Sequence, residues 1–187
     1  IEVHASDSNK YLIAMFKGLQ CDEYKPFTIT KMYYDEVRKA YNTNDSSIYS
    51  DFVKGWVGFM ASFNGRFFDG GYSGKHNQRD YVKEQINNTL KQLPKLIDVN
   101  FYHSTYDNIV LDPNFPCIVY CDPPYKGTKQ YTGDSFDYDK FYGWCINKHQ
   151  EGHKIFISEY AMPSPFKCIW EKEVTNSLHT NKTYKPT

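Results

Sequence analysis

The chain has 187 residues, 40% of them hydrophobic, with 22 Lys+Arg set against 22 Asp+Glu. That length suits one domain, or one domain carrying an insertion, and is enough to bury a core. A net charge of zero argues against a broad polyanion-binding surface and leaves room for a local one.

In chain order, IEVHA (1–5) reads as a strand, and Ser6-Asp7-Ser8-Asn9 supplies candidate caps for a helix carrying Leu12, Ile13, Phe16 and Leu19 on one face. A second helix is expected over 28–43, opening at Thr28 or Thr30, and a third over 47–62, with Phe52, Trp56, Phe59 and Met60 on one stripe. Residues 63–78 hold four of the eleven glycines and read as a loop or loop-rich hairpin. Residues 79–93 form a fourth helix, with Val82, Ile86, Leu90 and Leu93 in step and Pro94 at its end. The pattern then changes: DVNFY (98–102), IVYC (118–121) and KIFIS (154–158) read as short strands, with a helix over 138–149 between the last two. Strands alternating with helices predict a parallel α/β core, interrupted between about residues 22 and 95 by a mostly helical insertion.

Five cysteines, an odd number without a CxxC pair, indicate neither a disulfide framework nor a zinc knuckle and fit reduced, mostly buried thiols of a cytosolic protein. No apolar run of about 18 residues is present, so no membrane span is expected, and the first residues do not resemble a signal peptide. Seventeen Tyr and thirteen Phe serve first as core filling and second as stacking surfaces for bases. His149 and His153 have helical metal spacing, but Gly152 interrupts the helix there, so a surface pair is expected.

The most informative stretch is IVYCDPPYKG (118–127). In open parallel sheets ligands bind beyond the carboxyl ends of strands, where Asp7, Asp122 and Ser158-Glu159 all fall. Pro123 has no N–H and a fixed φ, so the strand cannot continue as a paired ladder. Pro124 holds Pro123 extended. The result is a rigid turn aiming the Asp122 carboxylate and the Pro123 carbonyl in one direction, with the flat face of Tyr125 beside them. Two neighbouring acceptors and a ring suit a planar base bearing an NH2 group. A strand-end turn with a packed tyrosine is the bland alternative, but such a tetrapeptide arises by chance in only about one chain in a thousand of this length.

DPPY after a strand resembles motif IV of the S-adenosylmethionine-dependent amino-methyltransferases. VHASDSNKYLI resembles the ADxNxxLI segment of the Dam-like DNA adenine methyltransferases, FNGRF their FNGLxR segment, and FYHSTYDNI the segment ahead of their catalytic motif; SFDYDKF and KIFISEY follow in matching order. The likeness spans about residues 3–160 and is that of a compact, phage-type member of a family that includes restriction-modification enzymes. It implies a Rossmann-like methyltransferase sheet with a mostly helical insertion, divided as 1–21 (first part of the cofactor-binding core), 22–95 (target recognition) and 96–187 (catalytic half). It implies methylation of the exocyclic amine of adenine in double-stranded DNA, with base flipping, in the cytoplasm of a bacterial or phage-infected cell. Asp122, Pro123, Pro124 and Tyr125 are the implied catalytic residues. Asp7, Thr105, Tyr106 and Asp122 are implied at the S-adenosylmethionine site, with Asp107 able to stand in where the family often has an acid at position 105. For Asp7 alone, a helix N-cap is the simpler role. DNA contacts are expected from Asn64, Arg66, Lys75 and Arg79, since Asn reads adenine and Arg reads guanine or holds phosphate. Lys126 and Lys129 follow the catalytic turn and are surface lysines or phosphate contacts.

One family feature has no counterpart: nothing in residues 1–21 matches the Gly-rich FxGxG segment. In the family's fold the strand before it lies between the strands expected at 1–5 and 118–121, and a sheet without it exposes two inner edges. The chain is therefore expected to be incomplete at the N-terminus, and to stop before the family's last strands. The rival readings are a non-catalytic nucleic-acid-binding remnant, a strand supplied by another chain, and an amino-methyltransferase acting on cytosine, RNA or protein.

Overall fold

The computed structural model describes residues 1–21, 26–128 and 136–172, and further on only the backbone of two short antiparallel strands, Val174–Thr175 and Thr183–Tyr184. Its elements are β1 (Val3–Asp7), α1 (Lys10–Gln20), α2 (Lys31–Asn42), α3 (Asp51–Ala61), β2 (Lys75–His76), β3 (Arg79–Asp80), α4 (Tyr81–Gln92), β4 (Val99–His103), β5 (Ile118–Cys121), α5 (Tyr138–Gln150) and β6 (Lys154–Ile157). They fall into two compact units, Ile1–Asn108 and Ile109–Thr187.

In the first unit, four helices start where a short polar side chain caps the first turn. Asn9 accepts from Tyr11 and Leu12, Thr30 from Tyr33, Ser50 from Val53 and Asp80 from Lys83. Such caps contribute about 1 kcal/mol each. The third helix starts later than its apolar stripe suggests. Asp45 turns back on Ser47, accepting from its N–H at 2.8 Å and its hydroxyl at 2.6 Å, and the buried Lys54 ammonium donates to the Asp45 carbonyl. Helical spacing buries Tyr34 and Val37 of α2, Phe52, Trp56 and Met60 of α3, and Val82 and Ile86 of α4 in one core with Met15 and Leu19 of α1. The indole N–H of Trp56 donates to the Phe27 carbonyl at 3.1 Å.

Helices α1 and α3 touch through backbone. A methyl group at Gly55 would collide with the Tyr11 carbonyl oxygen. Gly55→Ala is therefore expected to cost about 1–3 kcal/mol, read as a lowered urea midpoint with unchanged slope.

β1 and β4 pair in parallel, Val3 opposite Val99 through Asp7 opposite His103. The Gln20 amide donates to the carbonyls of Leu96 (2.6 Å) and Val99 (2.8 Å), tying the end of α1 to the start of β4. The loop-rich segment is a hairpin whose second strand takes Arg79 and Asp80 from the expected helix, because Asp80 serves as its cap.

In the second unit, β5, α5 and β6 form a β-α-β unit with the strands parallel, Ile118 opposite Lys154 through Cys121 opposite Ile157. α5 buries Phe141, Tyr142 and Cys145. It ends in a Schellman motif: His153 N–H returns to Lys148 O and Gly152 N–H to His149 O, with Gly152 at φ +100°. That motif draws His153 inward to 1% exposure, and its Nδ1 accepts from Cys117 N–H at 3.3 Å. The expected surface pair of histidines is corrected accordingly: His149 is exposed and His153 is core.

The cysteines also depart from expectation. All five are free thiols, but only Cys145 is buried, while Cys21 and Cys168 are exposed. A Cys145 hydrogen bond holds the Cys121 thiol below its ordinary pKa against the opposing effect of burial; that bond and burial push Cys145 well up.

Candidate active site

Asp7 ends β1, and the parallel register brings Thr105 and Tyr106 to the same end of this strand pair, with Ser104 N–H donating to Asp7 O at 3.1 Å. The simpler role for Asp7 does not hold: Asn9 is the cap of α1. The Asp7 carboxylate accepts from Asn9 N–H at 2.6 Å through Oδ1, and no donor among the described residues reaches Oδ2. One free carboxylate oxygen beyond a strand's carboxyl end fits a ligand bearing vicinal hydroxyls. Thr105 is exposed and its hydroxyl accepts from the Asn108 amide at 2.9 Å; Tyr106 and Asp107 follow in a short 3-10 turn.

In the second unit the turn after β5 is pinned at Cys121, Pro124, Tyr125 and Lys126. Ser158 N–H donates to Cys121 O at 2.9 Å, extending the β5–β6 ladder to the residue before Asp122. The Tyr138 hydroxyl donates to Pro124 O at 2.9 Å. The Tyr125 hydroxyl meets Ser158 Oγ at 2.6 Å, and its ring packs edge-on against Tyr160 at 4.8 Å. The Glu159 carboxylate accepts from Lys126 N–H at 2.9 Å and from Tyr160 N–H at 2.7 Å. Thr128 returns its N–H and its hydroxyl to Tyr125 O, closing a turn with Gly127 at φ +85°. Between these ties lie the two acceptors, Pro123 O and the Asp122 carboxylate, the latter with the Tyr125 phenol against it. Asp122 is exposed, and Pro123 O accepts from no described residue. The Tyr125 phenol lies above its ordinary pKa: the Ser158 hydrogen bond lowers it, but burial and the nearby Asp122 carboxylate outweigh that.

The four expected DNA contacts of the first unit divide into two pairs. Asn64 is exposed at φ +55°, and Arg66 is half-buried with no ion pair among the described residues. Lys75 faces Asp80 at 3.7 Å, and Arg79 makes a two-pronged bond to Glu84 at 2.6 and 3.0 Å. Lys126 lies over the Tyr138 ring at 5.6 Å, and Lys129 falls outside the described residues. Sequence reasoning missed Tyr138 and Tyr160, since a tyrosine opening a helix or following a strand carries no local mark of reaching a turn elsewhere in the chain. The spacing of His149 and His153 leads to no metal site: among the described residues, no cluster of three or more His, Cys, Asp or Glu is placed to hold an ion.

Fold and site together define an α/β protein whose open polar groups lie beyond the carboxyl ends of parallel strands. The family model for the D12 class N6 adenine-specific DNA methyltransferases matches residues 2–184, and the chain belongs to that family. No curated protein matches it. The protein is thus an adenine-specific DNA methyltransferase that transfers a methyl group from S-adenosylmethionine to the N6 amine of adenine in DNA. No helix among the described residues is long and apolar enough to cross a membrane.

Proposed function

We propose that Asp122 and the Pro123 carbonyl accept the two protons of the adenine amine and thereby make it a nucleophile. The amine's lone pair is delocalised into the ring. Hydrogen bonds from both N–H groups localise it, and the carboxylate stabilises the positive charge that develops on nitrogen during transfer. Pro124 stiffens the turn, and Tyr125 offers its ring to the base. The observation that carries this reading lies within one turn: Pro124, Tyr125 and Lys126 are each pinned by a named partner, while Pro123 O accepts from no described residue and the exposed Asp122 carboxylate has, among the described residues, only the Tyr125 phenol against it.

S-adenosylmethionine supplies the methyl group. Asp7 would hold its ribose hydroxyls through the free carboxylate oxygen, and Thr105 and Tyr106 would line its adenine, with Asp122 at the junction of cofactor and base. On this reading the fold is that of a Rossmann-like methyltransferase, residues 22–95 recognise the target, and the enzyme works in the cytoplasm. The substrate is double-stranded DNA, so the target base leaves the stack at a cost of a few kcal/mol.

For recognition, the free side chains are the readers and the paired ones hold phosphate. Surface ion pairs such as Lys75–Asp80 and Arg79–Glu84 are worth about 0–1 kcal/mol, so either cation exchanges its partner for phosphate at little cost. Lys126 would hold phosphate beside the catalytic turn. Lys75→Ala should then weaken binding to all sequences alike and lower the salt slope by about one unit. Asn64→Ala and Arg66→Ala should relax preference at one base position each, costing about 1–3 kcal/mol on the preferred site only. Methylation of random-sequence DNA, read by sequencing beside binding titrations in salt, tests all three; an unchanged sequence preference and affinity throughout would move recognition out of residues 63–79.

A further inference from the structure

We propose that Glu159 is a positioning residue for methyl transfer, acting through the backbone of the DPPY turn. The inference rests on the assignment of Asp122 and Pro123 as the acceptors of the adenine amine.

Glu159 follows the end of β6, where a carboxylate beyond a parallel strand would ordinarily be read as a ligand group. Its geometry points elsewhere. Oε2 accepts from Lys126 N–H at 2.9 Å and Oε1 from Tyr160 N–H at 2.7 Å, so each oxygen is already committed to a backbone donor. Lys126 is the first residue after the turn, and Tyr160 the first after Glu159. The carboxylate therefore ties the far side of the DPPY turn to the carboxyl end of β6. The near side is tied to the same place by Ser158 N–H on Cys121 O. The chain from Cys121 to Lys126 is thus held at both ends by two consecutive residues, Ser158 and Glu159.

Neither proline in between has an N–H, so the turn cannot hold itself through a ladder. Its direction depends on what grips its ends, and a carboxylate on two N–H groups grips more firmly than a neutral acceptor. Tyr138 on Pro124 O and Ser158 Oγ on Tyr125 complete the frame. Without Glu159, Lys126 N–H loses its acceptor, and the aim of the Asp122 carboxylate and Pro123 carbonyl relaxes. A misplacement of about 1 Å at reacting groups costs on the order of 10²-fold in rate.

The test compares Glu159→Gln, Glu159→Ala and, in parallel, Asp122→Ala of the full-length protein in single-turnover methylation of adenine-containing DNA, with KM and circular dichroism measured on each. The expected order of rate is wild type, then Glu159→Gln, then Glu159→Ala, with the alanine variant down about 10–100-fold. Gln falls between because it keeps one acceptor and turns an NH2 toward the other N–H. KM for S-adenosylmethionine and for DNA should stay within about threefold, because the positioning concerns the reacting groups. The proposal is overturned if both Glu159 variants keep the wild-type rate. It is also overturned if their loss lies in KM with kcat intact, which would make Glu159 a ligand group, or if it merely tracks the fraction of folded protein. Should Glu159→Ala not fold, Glu159→Gln alone decides by the same criteria. If Asp122→Ala keeps normal turnover, the underlying assignment fails; if Asp122→Ala is inactive while the Glu159 variants are normal, only the present inference fails.

Discussion

Replacing Asp122 by alanine is expected to lower the rate of methyl transfer by about 10²–10⁴ while S-adenosylmethionine binding stays within about tenfold. The size follows from what the carboxylate faces. The amine gains positive charge only as the methyl group arrives, so the interaction is stronger in the transition state than before it, and its loss falls on rate more than on binding. Asp122→Asn should lie between: it keeps an acceptor oxygen and loses the charge. Because Asp122 is exposed, folding should be unaffected, and circular dichroism should show the same spectrum for all three proteins. Near-normal turnover by the alanine variant would remove Asp122 from the chemistry.

The second large effect concerns the core of the first unit. Trp56 is fully buried between Phe52 and Phe27, and its N–H satisfies the Phe27 carbonyl. Trp56→Ala should cost about 3–5 kcal/mol, a large share of the 5–15 kcal/mol that holds a typical domain folded. Urea unfolding followed by circular dichroism should show a sharply lowered midpoint, or an unfolded protein without urea. Trp56→Phe, which keeps most of the apolar volume and loses the hydrogen bond, should cost clearly less. A loss below about 1 kcal/mol for the alanine variant would mean that this cluster is not the core of the unit.

Much of this architecture was legible because local chemistry specifies it. Thr30 sits one residue before a helix whose apolar residues recur at three and four positions, so cap and stripe agree, whereas Ser50 and Asp80, the caps of α3 and α4, fall inside the ranges 47–62 and 79–93 that the stripes alone suggest. The turn after β5 was legible for a different reason: two consecutive prolines leave the backbone almost no choice. What escaped was long-range. His153 reads as a surface residue because Gly152 ends a helix before it, yet the Schellman closure turns it inward toward Cys117. The clasp by Tyr138 and Glu159 joins residues 14 and 33 positions apart, and no periodicity encodes such a pair. The commitment of Arg79 to Glu84 depends on a hairpin register set by only two residue pairs. Exposure of Cys21 and Cys168 was likewise invisible, since a thiol's residue type favours burial but its neighbours decide it.

The central claim is that the acceptor pair of this turn directs methyl transfer to the adenine amine. It is tested most directly by incubating wild-type and Asp122→Ala proteins with isotope-labelled S-adenosylmethionine and duplex DNA, then digesting the DNA to nucleosides for mass spectrometry. The account predicts label in N6-methyl-2′-deoxyadenosine with the wild type and a loss of at least about 10²-fold with the variant. Label in N4-methyl-2′-deoxycytidine, or equal N6-methyl-2′-deoxyadenosine from both proteins, would contradict it.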